Sequence, residues 1–147
     1  MLKMETAVSS RKADIYDILS NSGLYLTKNR VAIMHVLLDA EGPLTKKQIN
    51  RRLNKKINKV SVYRTLESFI EKGIVHQAFI EGRARYFELG SRCGQVCCHP
   101  HFICTKCGKT ICLTDIKVPL VKGISKEYTV HRQQIRLEGL CRECGGD

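Results

Sequence analysis

Two Cys-x-x-Cys pairs constrain the fold of this 147-residue chain more than any other feature of its sequence. Cys104 and Cys107 form the first pair, Cys141 and Cys144 form the second, and a glycine follows each pair. Four thiolates from two such pairs suit a tetrahedral Zn²⁺ with bonds of about 2.3 Å, and the glycines let the backbone turn around the ion. The spacing predicts one structural zinc per chain, whose binding energy contributes directly to folding.

A redox dithiol and two disulfides are the alternative explanations of these four cysteines. A thioredoxin-like site needs one Cys-x-x-Cys at the start of a helix, whereas both pairs here follow predicted strands. The first residues contain an early acid and no apolar signal segment, and no run of about 20 apolar residues occurs that would span a membrane. We therefore expect a cytoplasmic protein with no membrane partner, in which reduced cysteines hold metal.

Positive charge is concentrated in the part of the chain that lacks cysteine. The formal net charge is +11, and all eight cysteines lie from residue 93 onward. Between Gly42 and Leu66 there are eight Lys or Arg residues and no acidic residue. A basic segment of this kind favours a nucleic acid as the partner.

Apolar residues among the first 73 positions recur with a helical period, and residue types suited to N-caps precede them. Thr45 and Gln48 form a Thr-x-x-Gln capping box, and Asn58 caps the helix that follows. Two short β-branched and aromatic segments come next, with Gly82 in the turn between them. The predicted elements are helices over 11–22, 27–39, from 45 onward and over 58–73, and strands over 74–80 and 84–89. Helices followed by such a hairpin indicate a winged helix-turn-helix.

Residues 90–98 have no period and contain two glycines. We therefore place a hinge at 91–98, between a first domain of residues 1–90 and a second domain of residues 99–147. The second domain is predicted to contain strands over 101–104 and 110–113, a short helix over 115–123 and a strand over 130–138. About 50 residues are too few for stability from a core alone, so this domain needs a metal, a partner chain or both. The predicted fold class is α+β, a winged helix followed by a small α/β domain with a four-cysteine zinc site.

A second group of metal-ligand residues comes from the wing, the hinge and the start of the second domain. Imidazole and thiolate together suit Zn²⁺, so one ion would connect all three segments. The residues of this group are His76, Cys93, His99 and His101. The alternative is that His76 is a surface histidine and Cys93 a free thiol, and Cys97, Cys98 and Cys112 are near enough in sequence to substitute as ligands.

The basic segment coincides with the two helices of the predicted helix-turn-helix. A basic run is usually only a solvated face, but this one covers the element that would enter a DNA major groove. In the helix over 58–73 the apolar residues share one face, and Arg64 points almost opposite. The candidate DNA contacts are Lys59, Ser61, Tyr63, Arg64 and Thr65, with Arg30 as a phosphate contact from the helix over 27–39.

Several strings resemble the ferric uptake regulator (Fur) family, in its order and at its usual spacing. They are Val60-Ser-Val-Tyr-Arg-Thr-Leu, Gly73-Ile-Val-His, Arg85-Tyr-Phe-Glu-Leu, His99-Pro-His-Phe-Ile-Cys-Thr-Lys-Cys-Gly-Lys and Leu137-Glu-Gly-Leu-Cys-Arg-Glu-Cys. The resemblance implies a metal-dependent transcription regulator that binds a double-stranded operator as a homodimer. It also implies a C-terminal dimerisation domain, a metal sensor at the hinge, structural zinc at the four cysteines, and DNA contacts from Tyr63 and Arg64.

The resemblance is stronger to the zinc uptake regulator (Zur) branch. Iron and peroxide sensors of the family have an acidic residue six positions before the His-x-His pair and a histidine in the loop before the third helix. This chain has Cys93 at the first position and Ala40-Glu-Gly-Pro at the second. The branch implies a zinc-responsive repressor with His76, Cys93, His99 and His101 as sensor ligands, and Cys112 as an alternative fourth ligand. Regulatory Fe²⁺ or Mn²⁺ stays open at this point.

Two other function classes are compatible with clustered histidines and cysteines. A zinc nucleobase deaminase needs a glutamate in a His-x-Glu arrangement, and this chain has His99-Pro-His101 instead, so we expect no enzyme activity. A constitutive zinc-ribbon protein would bind nucleic acid whatever the free zinc concentration, once its four-cysteine site is filled.

Overall fold

The structure, a computed structural model, describes residues 14–54, 56–92 and 99–145. Two three-stranded sheets and the helices around the first of them confirm the α+β fold class. Across the described ranges, no helix has both the length and the apolar character needed to cross a membrane. The helices are α1 (described residues 14–21), α2 (Lys28–Leu38), α3 (Lys46–Arg52), α4 (Lys59–Glu71) and α5 (Arg142–Gly145). The strands are β1 (Leu44–Thr45), β2 (Val75–Glu81), β3 (Ala84–Leu89), β4 (His101–Cys104), β5 (Thr110–Cys112) and β6 (Arg136–Gly139).

Side-chain caps fix where the helices of the first domain begin. Thr27 caps α2, and the Asn58 side chain accepts the backbone N–H of Ser61 at 2.8 Å at the start of α4. At α3 the capping box predicted from the sequence is complete, because the Thr45 side chain accepts from the Gln48 backbone and the Gln48 side chain accepts from the Thr45 backbone. These caps satisfy N–H groups that have no partner within the helix.

The winged-helix core forms where the apolar faces of the four helices meet the first sheet. Leu19, Ile33, Leu66, Phe69 and Phe87 are completely buried in it. The sheet order is β1-β3-β2, with β2 and β3 as the hairpin of the wing and β1 paired along β3. Strand β3 is therefore hydrogen-bonded to β1 on one side and to β2 on the other. This pairing fixes the directions in which the side chains of β3 point.

The second domain contains the sheet β5-β4-β6, in which β4 pairs antiparallel with β5 and parallel with β6. Its apolar core is small: Ile103 packs with Ala78 and Phe79 of the wing. The helix predicted over 115–123 is wrong, since these residues form a turn and then irregular chain, and the strand predicted over 130–138 is limited to Arg136–Gly139. Pro119 lacks an N–H and disfavours helix at the preceding residue, and Gly123 has φ +84°.

Candidate functional site

The four cysteines of the two pairs converge at the edge of the second sheet. Parallel pairing of β4 with β6 places Cys104 opposite Gly139, so the turn after β4 lies beside the start of α5. The sulfurs of Cys104, Cys107, Cys141 and Cys144 all lie within 4.8 Å of one another. Cys107 Sγ is 3.8 Å from Cys141 Sγ, and tetrahedral zinc with bonds of about 2.3 Å requires a separation of about 3.8 Å. We call this group the four-cysteine cluster.

The electrostatics of the four-cysteine cluster also fit a divalent cation. Hydrogen bonds from the backbone N–H groups of Cys107 and Cys141 lower the pKa of the Cys104 thiol to about 6. A hydrogen bond with Cys141 and burial raise the pKa of Cys144 to about 12, because both favour the protonated thiol. A bound dication would stabilise all four as thiolates. The four-cysteine cluster therefore has the donor chemistry and the spacing of a zinc site.

A second group of ligand atoms lies between the wing and the second sheet. Glu88 on β3, His99 and His101 at the start of β4, and Cys112 on β5 have ligand atoms within 4.8 Å of one another. His101 and Cys112 are paired across β4 and β5, which explains why both side chains reach the same point. We call these four residues the hinge cluster. Its donors come from both domains, so an ion bound there contacts the wing and the second domain together.

Glu88 is the residue that every other donor contacts. Its Oε1 lies 2.9 Å from His101 Nε2 and 3.0 Å from His76 Nε2, and its Oε2 lies 3.3 Å from His99 Nε2. The Cys112 thiol donates to Oε2 at 3.0 Å. Burial alone would raise the pKa of Glu88, but hydrogen bonds from His101, His76 and Cys112 outweigh it and hold that pKa well below its usual range. The site therefore contains a buried carboxylate anion that only cationic or donating neighbours stabilise.

A basic face surrounds the start of α4 in the first domain. Tyr63 and Arg64 are exposed there, while their neighbours Val62 and Leu66 are completely buried. The ammonium of Lys46, at the start of α3, lies 3.7 Å from the centre of the Tyr63 ring. This cation–π contact holds the ring in place and keeps a positive charge beside it.

The other predicted DNA contacts differ in accessibility. Lys59 is exposed, whereas Ser61 and Thr65 are half-buried on the sides of α4. The guanidinium of Arg30 donates to the backbone oxygen of Tyr25 at 2.7 Å, which holds it at the start of α2. Lys59, like Tyr63 and Arg64, is therefore directly accessible to a ligand that approaches α4.

A winged helix with four clustered cysteines in the following domain has clear relatives among known proteins. The model of the ferric uptake regulator family matches residues 21–140 of the chain. The chain belongs to this family. The ferric uptake regulation protein of Staphylococcus epidermidis is 26% identical over 138 residues, covering 89% of this chain and 94% of that protein. Members of the Fur family are metal-responsive, DNA-binding transcription regulators rather than enzymes, and this chain is a metal-responsive regulator of that family.

Solved structures of Fur-family proteins have the same fold. The Vibrio cholerae ferric uptake regulator has a TM-score of 0.62 and 26% identity, covering 84% of this chain and 96% of that one. A zinc-bound manganese uptake regulator also has a TM-score of 0.62 and 26% identity, covering 86% of this chain and 98% of the other. The likeness extends over both domains in each case.

The structure of this Fur-family chain places most of the predicted sensor residues together. His76, His99 and His101 all contact the Glu88 carboxylate, and Cys112, the alternative ligand, lies among them. Cys93, predicted as the fourth ligand, lies outside the described residues. So do Cys97 and Cys98.

Glu88 is the residue that sequence reasoning missed. It lies between two buried apolar residues, Phe87 and Leu89, on a strand whose side chains alternate in direction. A charged residue inside the string Arg85-Tyr-Phe-Glu-Leu was the available signal. Only the structure shows that the second domain covers this face of β3 and brings His99, His101 and Cys112 next to Glu88.

Proposed function

We propose that this Fur-family protein is a zinc-responsive repressor, in which Zn²⁺ at the hinge cluster promotes operator binding by a homodimer in the cytoplasm. The observation that carries the proposal is that the ligand atoms of the hinge cluster come from two different domains. Glu88 comes from the wing, and His99, His101 and Cys112 come from the second domain. An ion held by both favours one relative orientation of the two domains, and with it one spacing of the two recognition helices in the dimer. A second Zn²⁺ in the four-cysteine cluster is structural.

The donor set of the hinge cluster supports zinc as the regulatory metal. Imidazole, thiolate and carboxylate are all zinc ligands, and thiolate is less suited to Mn²⁺ than oxygen donors are. His76 Nε2 lies 3.0 Å from Glu88 Oε1, so it is an additional ligand or a group that orients the carboxylate. Cys93 remains a proposed ligand from the hinge. Fe²⁺ or Mn²⁺ at the same position is the second candidate, because this fold occurs in ferric and manganese uptake regulators.

A metal-selectivity experiment tests the zinc assignment. Purified protein with its four-cysteine cluster loaded is incubated with operator DNA in chelator buffers that set free Zn²⁺, Fe²⁺ or Mn²⁺, and complex formation is followed by gel shift. We expect Zn²⁺ to promote binding at the lowest free concentration. Promotion by Fe²⁺ or Mn²⁺ and not by Zn²⁺ would assign the protein to another metal.

The exposed basic face on α4 supports double-stranded DNA as the ligand. Arginine binds a guanine edge in the major groove with two hydrogen bonds, and lysine neutralises phosphates. Tyr63, Arg64 and Lys59 lie at the exposed start of the helix, with Ser61 and Thr65 beside them, and Arg30 lies at the start of α2. We propose these six residues as the contacts, with Arg64 as the base-reading one.

Replacing Arg64 with alanine is expected to weaken operator binding by about 5- to 150-fold, because a bidentate base contact contributes about 1–3 kcal/mol. Zinc content and thermal stability should not change, since Arg64 is exposed. Lys72→Ala, which removes a positive charge at the far end of the same helix, is the matched control. It should lower operator affinity much less than Arg64→Ala does. Equal losses for both variants, measured by fluorescence anisotropy, would mean that Arg64 contributes only charge.

Exposed apolar side chains in the second domain support a homodimer. Between residues 116 and 140 the chain exposes large apolar groups that it does not cover itself, a pattern typical of an interface. They are Ile116, Leu120, Val121, Ile124, Tyr128, Val130, Leu137 and Leu140. A second copy of the chain is the partner we propose for them.

Replacing Val121 with glutamate is expected to shift the protein toward monomer, because Val121 is 64% exposed in the single chain and a dimer would bury the new charge. Sedimentation velocity at several concentrations measures the change. Ile80→Glu adds the same charge at a 55% exposed apolar position on the wing and should leave the dimer intact. A Val121→Glu protein that dimerises as tightly as the native chain would place the interface elsewhere.

A further inference from the structure

We infer that the loop of residues 41–43, which leads into the helix-turn-helix, docks on strand β5 and transmits the zinc state of the hinge cluster to α3 and α4. Gly42 is the residue that makes this docking possible. The inference rests on the proposed zinc-dependent operator binding and specifies the contact through which it is regulated.

Backbone atoms of the two domains make the contact. The N–H of Cys112 donates to the backbone oxygen of Glu41 at 3.3 Å. Beside it, a Cβ atom placed on Gly42 would lie 2.3 Å from the backbone oxygen of Thr110 and 2.8 Å from its carbonyl carbon. Both distances are far below van der Waals contact, and backbone atoms of a paired strand have little freedom to move. Any residue larger than glycine at position 42 is therefore incompatible with the docked loop.

Side-chain contacts at the same place are weaker. Lys109 Nζ lies 3.0 Å from Glu41 Oε2 and 3.9 Å from Glu143 Oε1 of α5. The Glu41 side chain is 70% exposed and that of Lys109 is 36% exposed, so water screens this ion pair strongly. The close backbone approach at Gly42, and not the ion pair, determines whether the loop docks.

The docked loop lies on a short covalent and hydrogen-bonded route between the hinge cluster and the DNA-binding helices. On one side, Cys112 supplies its backbone N–H to the loop and its thiol to the hinge cluster. On the other side, the loop continues directly into β1, whose Thr45 caps α3. Strand β1 also pairs with β3, which carries Glu88. An ion that fixes Cys112 and Glu88 relative to each other therefore fixes both strands that hold the loop.

Two states follow from this arrangement. With the hinge cluster filled, β3 and β5 are held together and the loop is docked, so α3 and α4 have one orientation relative to the second domain. With the cluster empty, the loop separates from β5. This separation breaks few contacts, chiefly the hydrogen bond from Cys112 to Glu41 and the exposed ion pair of Lys109 with Glu41. Coupling between metal and operator then passes through one contact that can be opened or closed.

Gly42→Ala is a selective probe of this contact. The φ angle of Gly42 is not among the positive values of the chain, so alanine is compatible with the local backbone. The atoms nearest to the added Cβ belong to Thr110 and Ile111 of the other domain. The substitution should therefore leave the winged helix, the four-cysteine cluster and the hinge ligands intact and prevent docking.

The test is a linkage measurement on the full chain with its four-cysteine cluster loaded. Operator affinity is measured at very low and at saturating free Zn²⁺, and hinge zinc affinity is measured with and without operator. For the native chain we expect a coupling of about 5- to 150-fold, equal in both directions. For Gly42→Ala we expect a coupling of less than about twofold in both directions, and the number of zinc ions bound per chain should not change. Glu41→Gln should retain most of the native coupling, because it removes only an exposed ion pair.

Amide hydrogen exchange provides a readout that does not depend on DNA. The Cys112 amide should be protected when zinc fills the hinge cluster of the native chain, and should exchange faster without zinc or in Gly42→Ala. Zinc-independent exchange of that amide in the native chain would overturn the inference without any variant. Native coupling in Gly42→Ala would also overturn it and leave the proposed function standing. Absence of zinc-dependent operator binding in the native chain would contradict the proposed function itself.

Discussion

Replacing Cys104 with serine is expected to remove the structural zinc proposed for the four-cysteine cluster and to unfold the second domain. Cys104 is 1% exposed, and its sulfur accepts the backbone N–H of Cys141 at 3.4 Å, so it lies at the centre of the contact between β4 and α5. Structural zinc contributes on the order of 10–16 kcal/mol at neutral pH. Whole domains are stable by about 5–15 kcal/mol. The small apolar cluster around Ile103 cannot compensate for that loss.

The expected result is a chain that binds zinc at neither cluster, because His99, His101 and Cys112 lie in the unfolded domain. Only the unfolding transition of the winged helix should remain. Metal analysis after gel filtration, thermal unfolding followed by circular dichroism, and sedimentation velocity measure zinc content, stability and dimerisation. Helical signal should persist, because the winged helix has its own core. Cys97→Ser is the matched control, since it makes the same change outside the four-cysteine cluster and should leave the zinc of that cluster in place. A Cys104→Ser protein with native zinc content and a native unfolding temperature would show that the four-cysteine cluster is not the structural site.

Replacing Glu88 with glutamine is expected to abolish the zinc response and keep the structural zinc. Glutamine has nearly the same shape but carries no charge, so the donors around it lose the anion that all of them contact. Loss of a group that merely orients a ligand costs about 10- to 100-fold in metal affinity. Glu88 is 2% exposed and is proposed as a direct ligand, so we expect its replacement to lower zinc affinity at the hinge cluster more than about 100-fold.

Competition titration against a zinc chelator measures this affinity, and fluorescence anisotropy with operator DNA measures the response. The Glu88→Gln protein should retain one zinc per chain and its dimer, while added zinc no longer changes its operator affinity. Glu71→Gln, at an exposed position on α4, makes the same chemical change away from both metal clusters. If Glu88→Gln responded to zinc like the Glu71→Gln control, the hinge cluster would not be the sensor.

Local patterns in the sequence predicted those features that depend on local spacing. The capping box at Thr45 and Gln48, the amphipathic face of α4 and the hairpin around Gly82 depend on residues a few positions apart. The four-cysteine cluster was predictable for a related reason. Each Cys-x-x-Cys pair is local, and zinc chemistry requires two of them.

Features that depend on the packing of the two domains were not predictable in this way. Glu88 is a ligand candidate only because the second sheet covers its face of β3. Gly42 carries no local signal, and its role depends on how close Thr110 lies. The helix predicted over 115–123 was wrong because its large apolar side chains are exposed and have no core to pack against within the described part of one chain. Pro119 and Gly123 then prevent regular structure.

A zinc titration with two simultaneous readouts tests the central claim, that an ion between the domains controls operator binding. Bound zinc per chain is counted by native mass spectrometry, and operator binding is followed by anisotropy at the same free Zn²⁺ concentrations. We predict that the first zinc fills the four-cysteine cluster without promoting operator binding, and that operator binding rises together with the second. Operator binding that is complete after the first zinc, and indifferent to the second, would contradict the account and indicate a constitutive zinc-ribbon protein.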